Sequence, residues 1–207
     1  MKRLLAVSAV AAAMAFSAGA LAQGYVGGSV GQSDFKVDCD PGFSCDTKDT
    51  GYKLFGGYGF TPYLAVEGAY VDLGKASESG SGTFLVDTGK GVVPVTGTGT
   101  ASLKASGFGL WGVGIAPFGN ASVFAKLGVA SIKAKGEICV TLTAPAVGSG
   151  CDSDSKTTTD IAWGVGAGYS FTPNLGARIE WERFRAKIPD GDKFDIDLLS
   201  AGIVYRF

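Results

Sequence analysis

The stretch TDIAWGVGAGYSFTPNLGARIEWE, from Thr159 to Glu182, decides the fold. Up to Phe171, large apolar side chains alternate with glycine and other small or polar residues, which predicts a β-strand with one apolar face. The residues Thr172-Pro173-Asn174 then predict a tight turn, because proline favours turns and cannot continue a hydrogen-bonded ladder. The alternation resumes at Leu175. The second face is small rather than uniformly charged, which suits the inside of a narrow barrel.

The same alternation recurs along the chain and predicts eight antiparallel strands. The chain has 33 glycines in 207 residues, more than twice the ordinary share of about 7%, and many of them alternate with apolar residues in these strands. Within one strand, Phe108 and Leu110 are out of phase with Trp111, Val113 and Ile115, which predicts a β-bulge. The predicted strands are 24–36, 52–60, 64–71, 102–116, 122–129, 159–171, 175–182 and 199–207.

The connections between these strands alternate between short and long. The three short ones are Thr61-Pro62, Pro117 to Asn120, and Thr172-Pro173-Asn174, and the four long polar ones are about 37–50, 73–101, 136–157 and 187–193. This sorting is typical of a membrane barrel with tight periplasmic turns and long extracellular loops. We therefore predict an all-β fold, an eight-stranded antiparallel up-and-down transmembrane β-barrel. The second long loop, rich in Gly, Ser and Thr, is predicted to be mobile.

Aromatic residues cluster beside the short turns. In a membrane barrel such residues form a girdle at the membrane interface, so we predict one girdle at the end of the barrel that carries the turns. Its predicted members are Tyr58, Phe60, Tyr63, Phe118, Tyr169, Phe171, Tyr205 and Phe207.

The N-terminus predicts export. Lys2 and Arg3 precede an apolar, Ala-rich run, and Ala20-Leu21-Ala22 is a small-x-small cleavage site, so residues 1–22 are interpreted as a cleaved signal peptide. The alternative is an N-terminal membrane anchor. Residues 23–207 form the barrel domain of the mature chain, whose formal charge falls from −1 to −3 as the two cations leave, which gives no reason to expect a nucleic acid partner. No later segment has 18 consecutive apolar residues, so the chain can enter a membrane only as a closed barrel.

The C-terminus carries the most specific pattern. The segment SAGIVYRF, Ser200 to Phe207, ends on an aromatic residue, with Gly202 and Tyr205 before Phe207. It resembles the C-terminal signal that the outer-membrane assembly machinery recognises. Together with GYGFTPYLAVEGAYVDLG (57–74) and VFAKLGVAS (123–131), it makes residues 23–207 similar to the small OmpA/OmpX/opacity-type outer-membrane barrels. The resemblance implies a Gram-negative outer-membrane location, contact with outer-membrane lipids and lipopolysaccharide, and a surface antigen or structural envelope role.

Several charged residues occupy the predicted inner faces of the strands. An eight-stranded barrel is just wide enough for side chains, so a large diffusion pore is excluded. Two interpretations remain: a structural ion-pair network that fills the lumen, or a narrow ion path. The residues are Lys53, Glu67, Lys126, Arg178, Glu180, Glu182 and Arg206.

The four cysteines lie in predicted extracellular loops, Cys39 and Cys45 in the first and Cys139 and Cys151 in the third. An exported chain with an even number of cysteines favours disulfides. Of the three possible pairings, local closure within each loop costs the least loop entropy, and the alternative is a bridge between the two loops. The spacing lacks the CxxC pattern of a zinc site.

The loops also carry clustered aspartates, which we interpret as solvated turn residues rather than as a contact for divalent cations or lipopolysaccharide. The clusters are Asp38, Asp40, Asp46 and Asp49, then Asp152 and Asp154, and finally Asp190, Asp192, Asp195 and Asp197.

The chain contains no histidine. General base catalysis near neutral pH then needs a retuned carboxylate or lysine, so we predict no enzymatic activity and no cofactor. The sequence predicts a monomeric, structural or surface-exposed barrel that serves envelope integrity, adhesion or antigen display and contacts a host or surface ligand. One alternative is a narrow, low-conductance channel. Another is a soluble lipocalin-type barrel, which requires an apolar inside that these strands do not predict.

Overall fold

The computed structural model describes residues 23–37, 44–87, 91–144, 148–187 and 193–207. The predicted signal peptide, residues 1–22, lies outside them. No helix within these ranges is long and apolar enough to cross a membrane. The strands of the described residues are β1 Gln23–Phe35, β2 Ser44–Asp46, β3 Lys48–Thr61, β4 Leu64–Asp87, β5 Val92–Phe118, β6 Ala121–Ala144, β7 Gly148–Ser170, β8 Leu175–Lys187 and β9 Lys193–Arg206.

Eight of these strands form a closed antiparallel ring, as predicted. Each long strand pairs with its neighbours along the chain, and β1 pairs with β9, with Tyr25 opposite Arg206, to close the barrel. The short β2 pairs with β4 outside the ring, at Ser77 to Ser79. The start of β1 and the end of β9 lie at the same end of the barrel as the tight turns. We name this end the turn end. The opposite end is the hairpin end.

The repeated Thr-Pro corners have a common construction. The Thr61 hydroxyl oxygen accepts hydrogen bonds from the backbone N–H groups of Tyr63 and Leu64 at 3.2 and 3.1 Å. The Thr172 hydroxyl oxygen accepts one from the Leu175 N–H at 2.9 Å. The threonine hydroxyl therefore accepts hydrogen bonds from backbone N–H groups of the turn, while the proline fixes the φ angle of the first turn residue.

The second short turn along the chain differs from the prediction. Pro117 does not belong to it, because Pro117 lies inside β5, in register with Ser122. The turn consists of Gly119 and Asn120, and Gly119 has a φ of 65°. This left-handed conformation costs glycine nothing, so the chain reverses there in two residues.

The predicted long loops 73–101 and 136–157 are mostly strand, which corrects their assignment as loops and the predicted mobility of the second one. β4 and β5 pair as far as Asp87 and Val92, β6 and β7 pair as far as Leu142 and Gly148, and β5 pairs with β6 up to Thr96. The pairing of β5 with β6 joins the β4–β5 hairpin and the β6–β7 hairpin into one four-stranded sheet beyond the ring. Each hairpin is more stable in this sheet than it would be alone. We name it the projecting sheet, residues 75–87, 92–106, 133–144 and 148–157.

One edge of the sheet is β7, which pairs with β8 only from Trp163 to Ser170, and the other is β4, which β2 covers at Ser77 to Ser79. The predicted bulge near Phe108 is wrong. Pairing with β6 is continuous from Phe108 to Trp111, with Phe108 exposed outside and Trp111 buried inside. The lumen accepts the indole because its ring lies against Gly109, where a Cβ would collide with it. A register shift occurs instead between Asp72 and Lys75 in β4, at Gly74 with a φ of 74°.

The apolar face of the strands changes sides along the barrel. In β9, Leu199 and Ile203 are exposed outside, whereas Ile196 and Leu198 are buried inside. An exposed apolar face suits lipid and an exposed polar face suits water, so the change marks the membrane boundary. The same change occurs in β8 between Trp181 and Phe184 and in β6 between Val129 and Ile132.

Two belts of aromatic residues border the apolar band. All eight predicted members of the turn-end girdle are exposed, from Tyr58 at 37% to Phe207 at 68%. A second belt, absent from the predictions, lies at the boundary near the hairpin end and contains two pairs with ring centroids 5.0 Å apart, the tilted pair Tyr70–Phe108 and the edge-to-face pair Trp163–Trp181. The band between the belts spans the apolar part of a bilayer.

Gly128 tests how tightly the inner wall is packed. A Cβ there would collide with the carbonyl oxygen of Leu110 and lie 2.7 Å from the Cα of Trp111. We expect Gly128→Ala to lower the free energy of unfolding by about 1–3 kcal/mol, measured by urea unfolding of the detergent-refolded protein. Gly136→Ala is the control, because no atom lies within 4 Å of a Cβ at that position. Equal midpoints for the two variants would contradict the packing.

Candidate functional site

Six of the charged residues predicted for the lumen lie together in one buried cluster. Three of them, Arg178, Glu180 and Glu182, alternate along β8 and so all point inward. We name the group the lumen ion cluster, and its members are Lys53, Glu67, Lys126, Arg178, Glu180 and Glu182.

The two lysines bridge the carboxylates of different strands. The Lys126 Nζ lies 3.2 Å from Glu67 Oε1, 2.5 Å from Glu180 Oε2 and 2.6 Å from Glu182 Oε1. The Lys53 Nζ lies 2.9 Å from Glu180 Oε1 and also donates to Glu182. The lysines therefore tie β3 and β6 to β8 through the centre of the barrel.

Arg178 joins the cluster to the aromatic residues of the lumen. Its two terminal nitrogens donate to both oxygens of Glu67, at 2.6 and 3.1 Å, and its Nε lies 2.7 Å from Glu180 Oε1. The guanidinium lies 3.4 Å from the centroid of the Phe55 ring, a cation–π contact. The Tyr25 hydroxyl donates to Glu67 Oε2 at 3.1 Å. Each Glu67 oxygen thus has at least two donors.

The cluster is electrically balanced and buried. Three cations face three carboxylates, and none of the six residues is more than 8% exposed. Removing one partner of a buried pair leaves an uncompensated charge, which costs far more than the pair contributes net. The cluster therefore holds the strands in register only while it is complete.

Arg206 stands apart from the cluster. One of its terminal nitrogens donates to the Ser170 hydroxyl at 3.0 Å, near the turn end. It borders a cavity of about 350 Å³ between the turns and the cluster, also lined by Tyr25, Ser122, Phe124 and Arg178. The sequence predicted Arg206 as an inward residue, but alternation alone does not define its distance from the other charges.

An apolar layer closes the lumen on the other side of the cluster. It begins with Trp111 and Phe184, whose ring centroids are 6.2 Å apart, and continues with side chains that are at most 8% exposed. The remaining members are Phe35, Val71, Leu73, Ile132, Phe194, Ile196 and Leu198.

Sequence reasoning missed this layer. The run KFDIDL, residues 193–198, alternates as a strand, yet its aspartates were interpreted as loop residues. That interpretation is wrong for Asp195 and Asp197, which lie on β9 and pair with Arg185 at 2.9 Å and Arg183 at 2.7 Å. The alternation within 193–198 was the available signal. The apolar residues of this run point inward, whereas the apolar residues of 199–207 point outward.

A disulfide closes the third hairpin. Cys139 and Cys151 are directly opposite on β6 and β7 and are bonded to each other. This is the local pairing predicted for the third loop, and it excludes a bridge from these cysteines to the first loop. Cys39 lies outside the described residues, so the Cys39–Cys45 bond stays a prediction. Within the described residues, no group of three or more His, Cys, Asp or Glu side chains is placed to hold a metal ion.

The comparisons with known proteins agree with this architecture. The model of the outer membrane protein beta-barrel domain matches residues 4–207. The chain belongs to this family. It is therefore a transmembrane barrel of the outer-membrane type. No curated protein has a significantly similar sequence.

Solved structures show the same fold. The crystal structure of Ail, the attachment invasion locus protein of Yersinia pestis, is 18% identical, with a TM-score of 0.53, and the match covers 90% of this chain and 99% of Ail. Ail in complex with the heparin analogue sucrose octasulfate matches with the same identity and coverage and a TM-score of 0.50. Neisserial surface protein A is 11% identical over 89% of this chain and 97% of its own, with a TM-score of 0.49.

The ion cluster predicts a large loss of stability when one lysine is removed. Lys126→Met leaves three buried carboxylates facing two cations, so we expect the free energy of unfolding to fall by about 3–5 kcal/mol. Urea unfolding in detergent measures it. Lys156→Met removes the same charge from an exposed strand residue and serves as the control. Adding Glu180→Gln to Lys126→Met should restore part of the loss. A Lys126→Met protein as stable as the control would contradict the role of the cluster.

The disulfide predicts a local effect. It joins the parts of β6 and β7 that lie in the projecting sheet rather than in the ring, so we expect the double variant Cys139→Ser/Cys151→Ser to keep the wild-type unfolding midpoint of the barrel. Loop closure of this size stabilises a hairpin by about 3 kcal/mol, so amide exchange at residues 138–142 and 148–152 should become at least tenfold faster. Amides of β8 and β9 provide the internal reference. Unchanged exchange in the hairpin would contradict the expectation.

Proposed function

We propose that the protein is a non-enzymatic outer-membrane barrel with a solid lumen, which displays the projecting sheet at the cell surface. The observation that carries the proposal is the double closure of the lumen. A neutral ion cluster fills the middle, and an apolar layer seals the side toward the projecting sheet. The barrel then serves as an anchor and the sheet as the part that contacts other molecules.

The lumen supports a structural role more than a channel. An ion path needs hydrated or unpaired groups along its length, whereas the cluster is buried and has every charge paired. Beyond it, an ion would have to cross a layer of aromatic and aliphatic side chains around Trp111 and Phe184, at a large desolvation cost. The cavity at the turn end reaches the cluster only at Arg178.

The same pairing argues against catalysis. The chain has no histidine, and the buried carboxylates Glu67, Glu180 and Glu182 are engaged by lysine or arginine. A carboxylate held in an ion pair is a weak base. Without a free base in the lumen, hydrolysis within the barrel lacks its proton acceptor.

Export and assembly belong to the proposal. Residues 1–22 direct export and are removed, and the C-terminal strand carries the assembly signal to the outer membrane. Tyr205 and Phe207 support this, because both are exposed on the outer face of the last strand, and Gly202 has no room for a Cβ beside Ser29 of β1. All ring strands are paired on both sides, so the barrel needs no second copy and is proposed to be a monomer.

The projecting sheet supports adhesion or antigen display. It is a hydrogen-bonded surface whose residues face water on both sides over much of its length, and such a rigid platform binds with less loss of entropy than mobile loops. Ail, which shares the fold, has been crystallised with a heparin analogue. We propose that this chain binds a surface or host ligand, and we do not transfer the heparin analogue of Ail to it.

Single-channel recording tests the closed lumen. We expect the refolded, disulfide-intact protein to be silent in a planar bilayer, because the apolar layer blocks ions. The double variant Ile132→Gly/Phe184→Gly, which removes two members of this layer, provides the comparison and should conduct more than the wild type. Reproducible small steps of the wild type that change in Lys126→Gln would contradict the proposal and establish the narrow channel.

Surface labelling tests the orientation. A cysteine introduced by Lys156→Cys lies in the projecting sheet, and one introduced by Asn174→Cys lies at the turn end. We expect a membrane-impermeant maleimide to label the first on intact cells and the second only after the outer membrane is permeabilised. The opposite pattern would show that the projecting sheet faces the periplasm.

A further inference from the structure

Four lysines form a continuous patch on the outward face of the strands, just beyond the aromatic belt at the hairpin end. Lys75 of β4 is directly opposite Lys104 of β5, and Lys104 is directly opposite Lys135 of β6. Lys133 lies two residues before Lys135 on the same face. All four are exposed, while the alternate residues Ala76, Ala105 and Ala134 are buried on the inner face. We name these four residues the lysine patch.

This arrangement is unfavourable unless an anion is present. Like charges directly opposite on neighbouring strands repel and destabilise the pair. Among the described residues, Lys135 is the one member with an ion pair, to Glu137 at 3.5 Å. The carboxylates of Glu137 and Asp72 share this face, so four cations face two anions.

Two arginines on the other side of the barrel show how such cations are balanced. At the same level on β8, Arg183 is half-buried and Arg185 is exposed on the outer face of the ring, and each meets an aspartate of β9, at 2.7 Å for Asp197 and 2.9 Å for Asp195. These cations need no external partner. By contrast, Lys75, Lys104 and Lys133 have no such carboxylate partner among the described residues.

The distance of the lysine patch from the apolar band indicates which partner can reach it. Lys133 is opposite Ser106, two residues beyond Phe108 of the aromatic belt, and Lys104 is four residues beyond it. At a rise of about 3.3 Å per residue and a strand tilt of about 40°, the lysines lie roughly 5 to 10 Å outside the apolar band. This is the depth of lipid head groups. A soluble polyanion would have to enter between the lipids to reach side chains that face outward at this level.

Neutral hydroxyl groups surround the lysines. Ser106 and Thr157 are the residues directly opposite Lys133, and Ser155 is directly opposite Lys135. A phosphate binds well between ammonium groups and hydroxyl donors. The face thus offers both the charge and the hydrogen bonds for phosphate.

We propose that the lysine patch is a binding site for the phosphate groups of the lipid A that borders the barrel in the outer leaflet. The site rests on the orientation in the proposed function, which places the projecting sheet on the outer side. Lipid A carries its phosphates on a disaccharide at head-group depth, and two of them can be reached by lysines spread over three strands. A bound lipid also cancels the repulsion between Lys75, Lys104 and Lys135.

The test compares lipid binding by two variants of the folded, full-length barrel in detergent. The first is Lys75→Gln/Lys104→Gln/Lys133→Gln/Lys135→Gln. The matched control is Lys156→Gln, an exposed lysine on the opposite face of the same sheet. The probes are bisphosphorylated lipid A, the same lipid without its phosphates, and a sulfated heparin oligosaccharide, and native mass spectrometry measures the bound fraction.

We expect the fourfold variant to lose about tenfold or more in affinity for bisphosphorylated lipid A, since each basic residue near a lipid surface contributes separately. The control should bind as the wild type does, and the lipid without phosphates should bind both proteins equally weakly. Equal binding of bisphosphorylated lipid A by the wild type and the fourfold variant would overturn the proposal. So would lysine-dependent binding of the heparin oligosaccharide with lysine-independent binding of lipid A, which would assign the patch to a soluble polyanion.

The variants also report their own folding. Each substitution is at an exposed position and relieves repulsion, so the fourfold variant should keep the heat-dependent gel shift of a folded barrel. Addition of bisphosphorylated lipid A should raise the melting temperature of the wild type and leave that of the variant unchanged, and an equal rise would overturn the proposal. Because binding in detergent is independent of orientation in the cell, a failure here is distinct from a failure of the surface-labelling experiment.

Discussion

The closure of the ring by β1 and β9 is the constraint on which the rest of the molecule depends. In lipid, a strand with an unpaired edge leaves backbone N–H and C=O groups without partners, at several kcal/mol each. The pairing of Tyr25 with Arg206 and of the residues that follow removes the last edge. Once eight strands close, the interior is only as wide as side chains, so the lumen has to be filled. Its contents then follow from which residues the alternation turns inward.

The filling has two parts with different physical origins. Within the membrane band the outer face takes the apolar residues, so the inner face receives charges such as Lys126 and Glu67, and these are stable only when paired. Beyond the boundary the outer face meets water, so the inner face takes apolar residues such as Phe184 and Leu198. The sealed lumen is therefore a consequence of the change of solvent along one continuous strand.

The alternation in the sequence was sufficient for the ring, the Thr-Pro corners and the inward direction of the charged residues. It was insufficient where the pattern changes phase or loses its apolar signal. Phe194 and Ile196 are inward although later residues of the same strand are outward, so the apolar layer was missed. The segments around Gly82 and Gly99 have the Gly, Ser and Thr composition of loops, yet they are strands because a neighbouring strand pairs with them. Contacts between distant residues, such as Arg178 with Glu67, depend on register between strands, which alternation does not define.

The free edge of β7 has a consequence for solubility. Beyond Trp163 this strand has a partner on one side only, and an exposed edge of this length is a template for adding strands from other chains. Between Cys151 and Thr157 the edge carries Asp152, Asp154 and Lys156 among serine and threonine residues. Charges and short polar side chains make such an edge a poor site for aggregation. The composition of this segment thus protects copies of the chain from edge-to-edge association.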